Sequence, residues 1–326
     1  MRAMIRKHYG EADQLSIEQR PEPPPQPGQV LIEVRALGLN RAEIYMRRGV
    51  WGEVAEISGI ECVGQVKHDP AGQFASGQKV AALLGGMGRS IPGSYAEYVN
   101  VPSAHVVPLH TDLPWEELAA IPESYATAWT SLHRNLALAP GQTLLIRGAT
   151  SALGQAAINI AAHAGAQVIA STRRIENRAA LIQLGAQQVL LEEPQLSAQI
   201  REQYPHGIDA VLDIVGNSVL LDSLAMVRAD GRLCQVGFLG GGEPLASFSP
   251  LQHLPSGVQL SFFGSALAYG TTDYPLSGVP LQTMVERVAA GTYQARPAQV
   301  FRFEQLPQAH RLMESNQAGG KLVVLI

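Results

Sequence analysis

Cysteine is nearly absent: two in 326 residues, Cys62 and Cys234. A pair so far apart draws neither a disulfide framework nor a C-x-x-C metal site, and both read as small buried hydrophobes. An excess of positive charge is lacking too. With 24 Lys and Arg against 28 Asp and Glu the formal net charge is −4, which argues against general nucleic-acid binding, since that rests on clustered cations. No uncharged apolar run reaches the ~18 residues of a membrane-spanning helix, and no signal-length apolar stretch follows the basic start MRAMIRKHYG. The expectation is a cytoplasmic protein whose partners are small molecules, with neither nucleic acid nor membrane. The G-x-S-x-G of a serine hydrolase is missing. So is a Walker loop: Leu153 stands five residues after Gly148, and Gln155 follows Gly154. The nine histidines are scattered, and His105 and His110 have no further ligands nearby.

What is present divides in two. The length exceeds one typical core and suggests two domains with a cleft. A Pro-rich connector, PEPPPQP (21–27), lies in a strand-rich first part. There QVLIEVRALG places Val30, Ile32, Val34 and Ala36 on one face, and GIECVGQV, KVAALL and SYAEYVNV follow between glycine turns. This predicts a barrel-like all-β unit. From about Leu118 the rhythm changes to apolar runs at 143–147, 166–172, 187–191, 208–216, 231–238 and 257–264, with helical patterns between them. That alternation predicts a doubly wound parallel sheet of six strands, the number of a complete dinucleotide-binding fold. After a helix near 280–290 the chain ends in strand, helix, strand, a tail expected to return to the first domain.

The segment LLIRGATSALGQ (144–155) joins a strand to a helix. Its glycines can serve a tight turn at Gly148 and close helix packing at Gly154, and Ala149, Thr150, Ser151, Ala152 and Leu153 complete the loop. Backbone N–H groups at the helix start would bind a diphosphate, with Thr150 and Ser151 adding hydroxyl donors. The second strand then ends in Ser171, Thr172, Arg173 and Arg174, with Arg178 one turn on, and no carboxylate closes it. Arginine forks suit the 2′-phosphate of NADPH, where an NAD site would present an acid.

The chain resembles the medium-chain dehydrogenase/reductase superfamily, and within it the zinc-free quinone oxidoreductase, or zeta-crystallin-like, branch. The matching segments are GLNRAEIYMRRGVW (38–51), GIECVGQV (59–66), GSYAEYVNV (93–101), LAAIPESYATAW (118–129), IRGATSALGQAAINIAAHAGAQVIA (146–170), LGAQQV (184–189) and AHRLMESNQAGGKLVV (309–324). The resemblance implies a GroES-like β-barrel domain (1–118 and 291–326) and a Rossmann NADP-binding domain (119–290). Zinc-dependent relatives place metal ligands where this chain has Asn40 and Ile60, so zinc-free hydride transfer from NADPH to a quinone or other electrophilic carbonyl is expected. The resemblance puts Asn40 and Tyr45 beside the nicotinamide as donors to the acceptor oxygen and Arg47 as a residue that orients substrate or shapes the cleft. It puts Thr127 on the dinucleotide, Val215, Gly237 and Phe238 at strand ends of the cofactor site, and Lys321 near the adenosine phosphate. Glu192 departs from the branch, which often carries tyrosine there, and an acid pointing inward would repel a 2′-phosphate. A homodimer through the edge strand near Val258–Phe263 is implied. Two other readings stay open: an enone or 2-enoyl-thioester reductase with Tyr45 as proton donor, and a non-catalytic NADPH-binding protein.

Overall fold

The computed structural model describes residues 1–326. The chain forms two compact units, Met1–Ala126 with Ser265–Ile326, and Thr127–Gly264. In the first lie β1 (Arg2–Arg6), β2 (Leu15–Gln19), β3 (Gln29–Gly38), β4 (Glu61–His68), β5 (Lys79–Leu83), β6 (Tyr98–Pro102) and β7 (Val106–Pro108). The second holds β8 (Thr143–Arg147), β9 (Gln167–Thr172), β10 (Gln188–Leu191), β11 (Ile208–Asp213), β12 (Val227–Gln235) and β13 (Gln259–Phe262). The tail adds β14 (Gln299–Arg302) and β15 (Leu322–Leu325).

A seven-stranded sheet in the order β14-β15-β3-β4-β5-β7, with β6 also on β3, organises the first unit. Val30, Ile32, Val34 and Ala36 are all buried as the alternation requires, and so is Leu31, because β3 is covered on both faces. The tail pairs here: β15 runs antiparallel to β3, Val324 opposite Leu37, and Leu322, Val324 and Phe301 enter the same core as Cys62 and Val80. Residues 119–126 and 265–290, expected with the second domain, belong to the first unit. The Tyr269 hydroxyl donates to Ala126 O (2.6 Å) and Gln282 exchanges hydrogen bonds with the backbone of His110 (3.0 Å each); such long-range bonds leave no local pattern in the sequence.

The second unit is a parallel sheet in the order β10-β9-β8-β11-β12-β13. Counted from β8 this is the 3-2-1-4-5-6 order of a Rossmann fold, whose ligands lie at the carboxyl ends of the strands where the order reverses, between β8 and β11. β11 stops at Asp213, short of the expected 216. The Asp213 carboxylate accepts the N–H groups of Val215 (2.9 Å) and Gly216 (2.8 Å) and turns the chain there. β13 forms the sheet edge and is largely exposed at Leu260 and Phe262, whereas Val258 and Phe263 on either side are buried. Both cysteines are buried and unbridged. No helix is long and apolar enough to cross a membrane.

Candidate active site

In the second unit the loop after β8 is shaped by its backbone. Gly148 adopts φ +85°, a left-handed conformation strained for any other residue. A Cβ on Gly154 would stand 2.6 Å from Ala149 Cα and 2.7 Å from the carbonyls of Gly148 and Ala149, so helix and loop can approach only with glycine there. Ser151 caps the helix Ala152–His163: its Oγ accepts from Gly154 N–H (3.1 Å) and donates to Gly148 O (2.8 Å). The hydroxyl expected to donate to a phosphate is therefore engaged inside the loop. Donors remain in the backbone, because the N–H groups of Thr150, Ala152 and Leu153 have no acceptor in the chain. Together with the helix dipole they form a cradle that fits a diphosphate.

Gly148 faces Ile214, Val215 and Leu239, so the loops after β8, β11 and β12 converge. The same junction holds Gly216 against Gly237, while the Phe238 ring packs 5.7 Å from that of Phe262. Thr127 is buried in the helix Pro122–Thr130, where its carbonyl accepts from Ser131 Oγ (2.8 Å).

At the end of β9, Arg173, Arg174 and Arg178 are exposed, and none is ion-paired within the chain. Thr172 is buried and its Oγ1 ties the turn, accepting from Arg174 N–H and Asn177 Nδ2 (3.2 Å each). Ser171 is buried as well and donates to Glu192 Oε2 (2.7 Å). Glu192, just after β10, does not stand alone: fully buried Arg147 donates to its Oε1 through Nε (2.7 Å) and Nη2 (2.5 Å). The same guanidinium pairs with Asp222 (2.9 Å) and donates to Ser223 Oγ (3.0 Å), which in turn donates to Asp213 (2.7 Å).

The first unit carries a second cluster, made of side chains. Asn40 caps the short helix Arg41–Arg47, and its N–H donates to Glu43 (2.5 Å). Lys321, 4% exposed, donates to Glu61 Oε1 (2.5 Å), Asn40 Oδ1 (2.7 Å) and Ser124 Oγ (3.3 Å), the full complement of an ammonium. Glu61, with no exposure, also accepts from Asn40 Nδ2 (2.8 Å) and the Glu123 N–H (2.8 Å). An ammonium can only donate, so it faces Oδ1 and turns Nδ2 toward Glu61 and Gly38 O. The amide expected to donate to an acceptor oxygen is thus committed to Glu61. Lys321, expected near the adenosine phosphate, instead joins Asn40 and Glu61. Burial pushes the Glu43 carboxyl up to about 8, against the pull of the Asn40 and Ile60 N–H groups.

Arg47 also departs from expectation. It has no exposure and is ion-paired to Glu314, which makes it a buried structural charge. Burial lowers its pKa. Tyr45 is half-buried 6.1 Å from the Trp51 ring, and that partial burial raises its pKa. The Tyr95 hydroxyl meets His310 Nε2 (2.9 Å). Glu43, Glu61, Ser124, Arg147 and the pairing of Glu192 are residues that sequence reasoning missed. Two signals do point to some of them: Glu61 and Arg147 are charges at the ends of apolar strands, Glu61 opening β4 and Arg147 closing β8, and buried there they need partners. Glu43, three residues after Asn40, has the spacing of a capping pair.

The donor set does not fit zinc. No group of three or more His, Cys, Asp or Glu side chains could hold a metal ion, and the oxygens of Glu61, Asn40 and Ser124 surround an ammonium.

Two family models match, together covering more than half of the chain: an alcohol dehydrogenase GroES-like domain over residues 26–111 and a zinc-binding dehydrogenase domain over 152–277. The chain is similar to an NAD-dependent alcohol dehydrogenase structure (25% identity, TM-score 0.85, all of both chains covered). It is also similar to the CurK enoyl reductase (23%, TM-score 0.84, 99% of this chain and 98% of that one). The Escherichia coli quinone oxidoreductase complexed with NADPH matches at 20% identity and TM-score 0.86, with 100% and 99% covered. Among curated proteins it is 27% identical, over 97% of its length, to one component of the phenolphthiocerol/phthiocerol polyketide synthase of Mycobacterium tuberculosis, of which it spans 14%.

Proposed function

The chain belongs to the medium-chain dehydrogenase/reductase superfamily, and from that premise we propose that it is an NADPH-dependent, zinc-independent reductase of conjugated carbonyl compounds, a quinone or an α,β-unsaturated carbonyl. One observation carries this reading: a tethered ammonium, Lys321, takes the oxygen donors of Glu61, Asn40 and Ser124. Donors committed to an ammonium are not available to a Lewis acid that would polarise a simple carbonyl or an alcohol, which favours an acceptor that is itself electrophilic. The quinone oxidoreductase and enoyl reductase structures with this fold lend support.

NADPH, when bound, supplies a hydride and leaves as NADP⁺. The chain's residues hold and orient. The N–H groups of Thr150, Ala152 and Leu153 take the diphosphate, and Arg173, Arg174 and Arg178 take the 2′-phosphate. Tyr45, whose pKa its partial burial raises, would donate a proton at the α-carbon of an enone and regain it from water, whereas a reduced quinone would draw its protons from water directly. The exposed edge at β13 supports a homodimer, with the two sheets joined there.

The test is steady-state oxidation of NADPH and NADH with 1,4-naphthoquinone and an enone, with and without chelator, by wild type and Tyr45→Phe. Turnover at least ~10-fold better in kcat/KM with NADPH and indifferent to chelator is expected. Tyr45→Phe should lower enone turnover by about 10²-fold and spare the quinone. Chelator-sensitive turnover or a preference for NADH would sink the proposal.

A further inference from the structure

Glu192 stands, by its position, against an NADPH site. It follows β10 directly, and its N–H donates to Thr172 O (2.8 Å) while its carboxylate accepts from Ser171 Oγ (2.7 Å). Those two residues end β9, where Rossmann folds hold the ribose of the dinucleotide, and where an acid selects NADH because it binds the 2′-hydroxyl and repels a 2′-phosphate. Placed there, Glu192 should oppose the three arginines that follow.

The geometry points to Arg147 as the residue that silences this acid. Resting on the NADPH reading, we propose that the buried Arg147–Glu192 pair determines coenzyme specificity. Arg147 is the last residue of β8, immediately before the phosphate loop, and has no exposure. Two of its N–H groups converge on Glu192 Oε1, and Ser171 holds Oε2. Both carboxylate oxygens are thereby turned onto donors inside the unit, Oε1 taking two N–H groups and Oε2 one hydroxyl. Charge-assisted bonds of this kind are strong and directional, so the acid is fixed as well as neutralised. The exposed, unpaired cations at the end of β9 are Arg173, Arg174 and Arg178, and Glu176 is the one exposed acid among them. Asp222 and Val219 O hold the remaining Nη1 of Arg147, which fixes the guanidinium independently of Glu192. Arg147 is thus a positioning residue that acts on the coenzyme through Glu192.

The test measures dissociation constants for NADPH and NADH by fluorescence titration, and for adenosine 2′,5′-bisphosphate against AMP by calorimetry, which isolates the adenosine end. Glu192→Gln, at a residue with 16% of its side chain exposed, removes the acid and leaves the arginine. It should raise the ratio of NADH to NADPH dissociation constants at least ~3-fold. Arg147→Met frees the acid and should lower that ratio ~10-fold or more, and the double variant should return it to within ~3-fold of wild type. A merely structural role would weaken both coenzymes together and leave the ratio still. A ratio unmoved or lowered in Glu192→Gln overturns the proposal, whether or not Arg147→Met folds. If wild type shows no preference for NADPH while the variants still move the ratio as stated, the NADPH reading fails and the role of the pair stands.

Discussion

The two units bind charge by opposite constructions. In the second, the cradle at 148–154 is made of backbone: one left-handed glycine, one glycine without room for a Cβ, and three N–H groups with no acceptor. The cluster in the first is made of side chains that meet across the chain, with Lys321 reaching Glu61 over 260 positions and Asn40 over 281. A backbone site tolerates exchange of side chains and is broken by adding atoms. A side-chain site is broken by removing one partner, because the other is left charged and dry.

The largest expected effect follows from that contrast. Lys321→Met leaves the fully buried Glu61 without its cation and should cost about 3–5 kcal/mol in urea unfolding, with most of it recovered in Lys321→Met/Glu61→Gln. Equal losses in single and double variants would show that the pairing is not what matters. Next comes the cradle. Gly154→Ala should cost about 1–3 kcal/mol by overpacking, and should weaken NADPH at least ~10-fold by pushing the helix off the loop. Unchanged calorimetric affinity would break the comparison from the other side.

A third effect sharpens it through pH. Burial, with Arg47 nearby, lowers His310 to about 3. The unfolded chain therefore takes up this proton first. Stability from the neutral ring is complete above about 6.5 and is lost as pH falls toward 3, at up to about 1.4 kcal/mol per pH unit. His310→Gln keeps an acceptor for Tyr95 and should flatten that acid slope between pH 6.5 and 4.5 in urea titrations. An undiminished slope would place the acid lability elsewhere, though not at Glu43, whose pKa is raised to about 8 and which therefore gains stability as pH falls.

How much was legible follows the same division. The strand at 143–147, the loop and the six-strand rhythm could be read because each rests on contiguous residues and a local period. Lys321, Glu61 and Ser124 were not legible as a cluster, since nothing in residues 61, 124 and 321 states that the fold brings them together. Arg47 and Lys321 pair with Glu314 and Glu61, and a basic residue in a sequence carries no mark of whether it faces a ligand or an acid of its own chain. The Ser151 hydroxyl caps its own helix and donates to Gly148 O, a competition that the loop sequence does not display.

The return of β15 to β3 sets an order of events during synthesis. Glu61 leaves the ribosome 260 residues before Lys321, on the order of ten to fifty seconds at ordinary elongation rates. The whole of Thr127–Gly264 is made in that interval. Until the tail is made, β3 has no β15 to pair with and Glu61 has no Lys321. The strand β15 and the cation that pairs with Glu61 come from the same last stretch of chain.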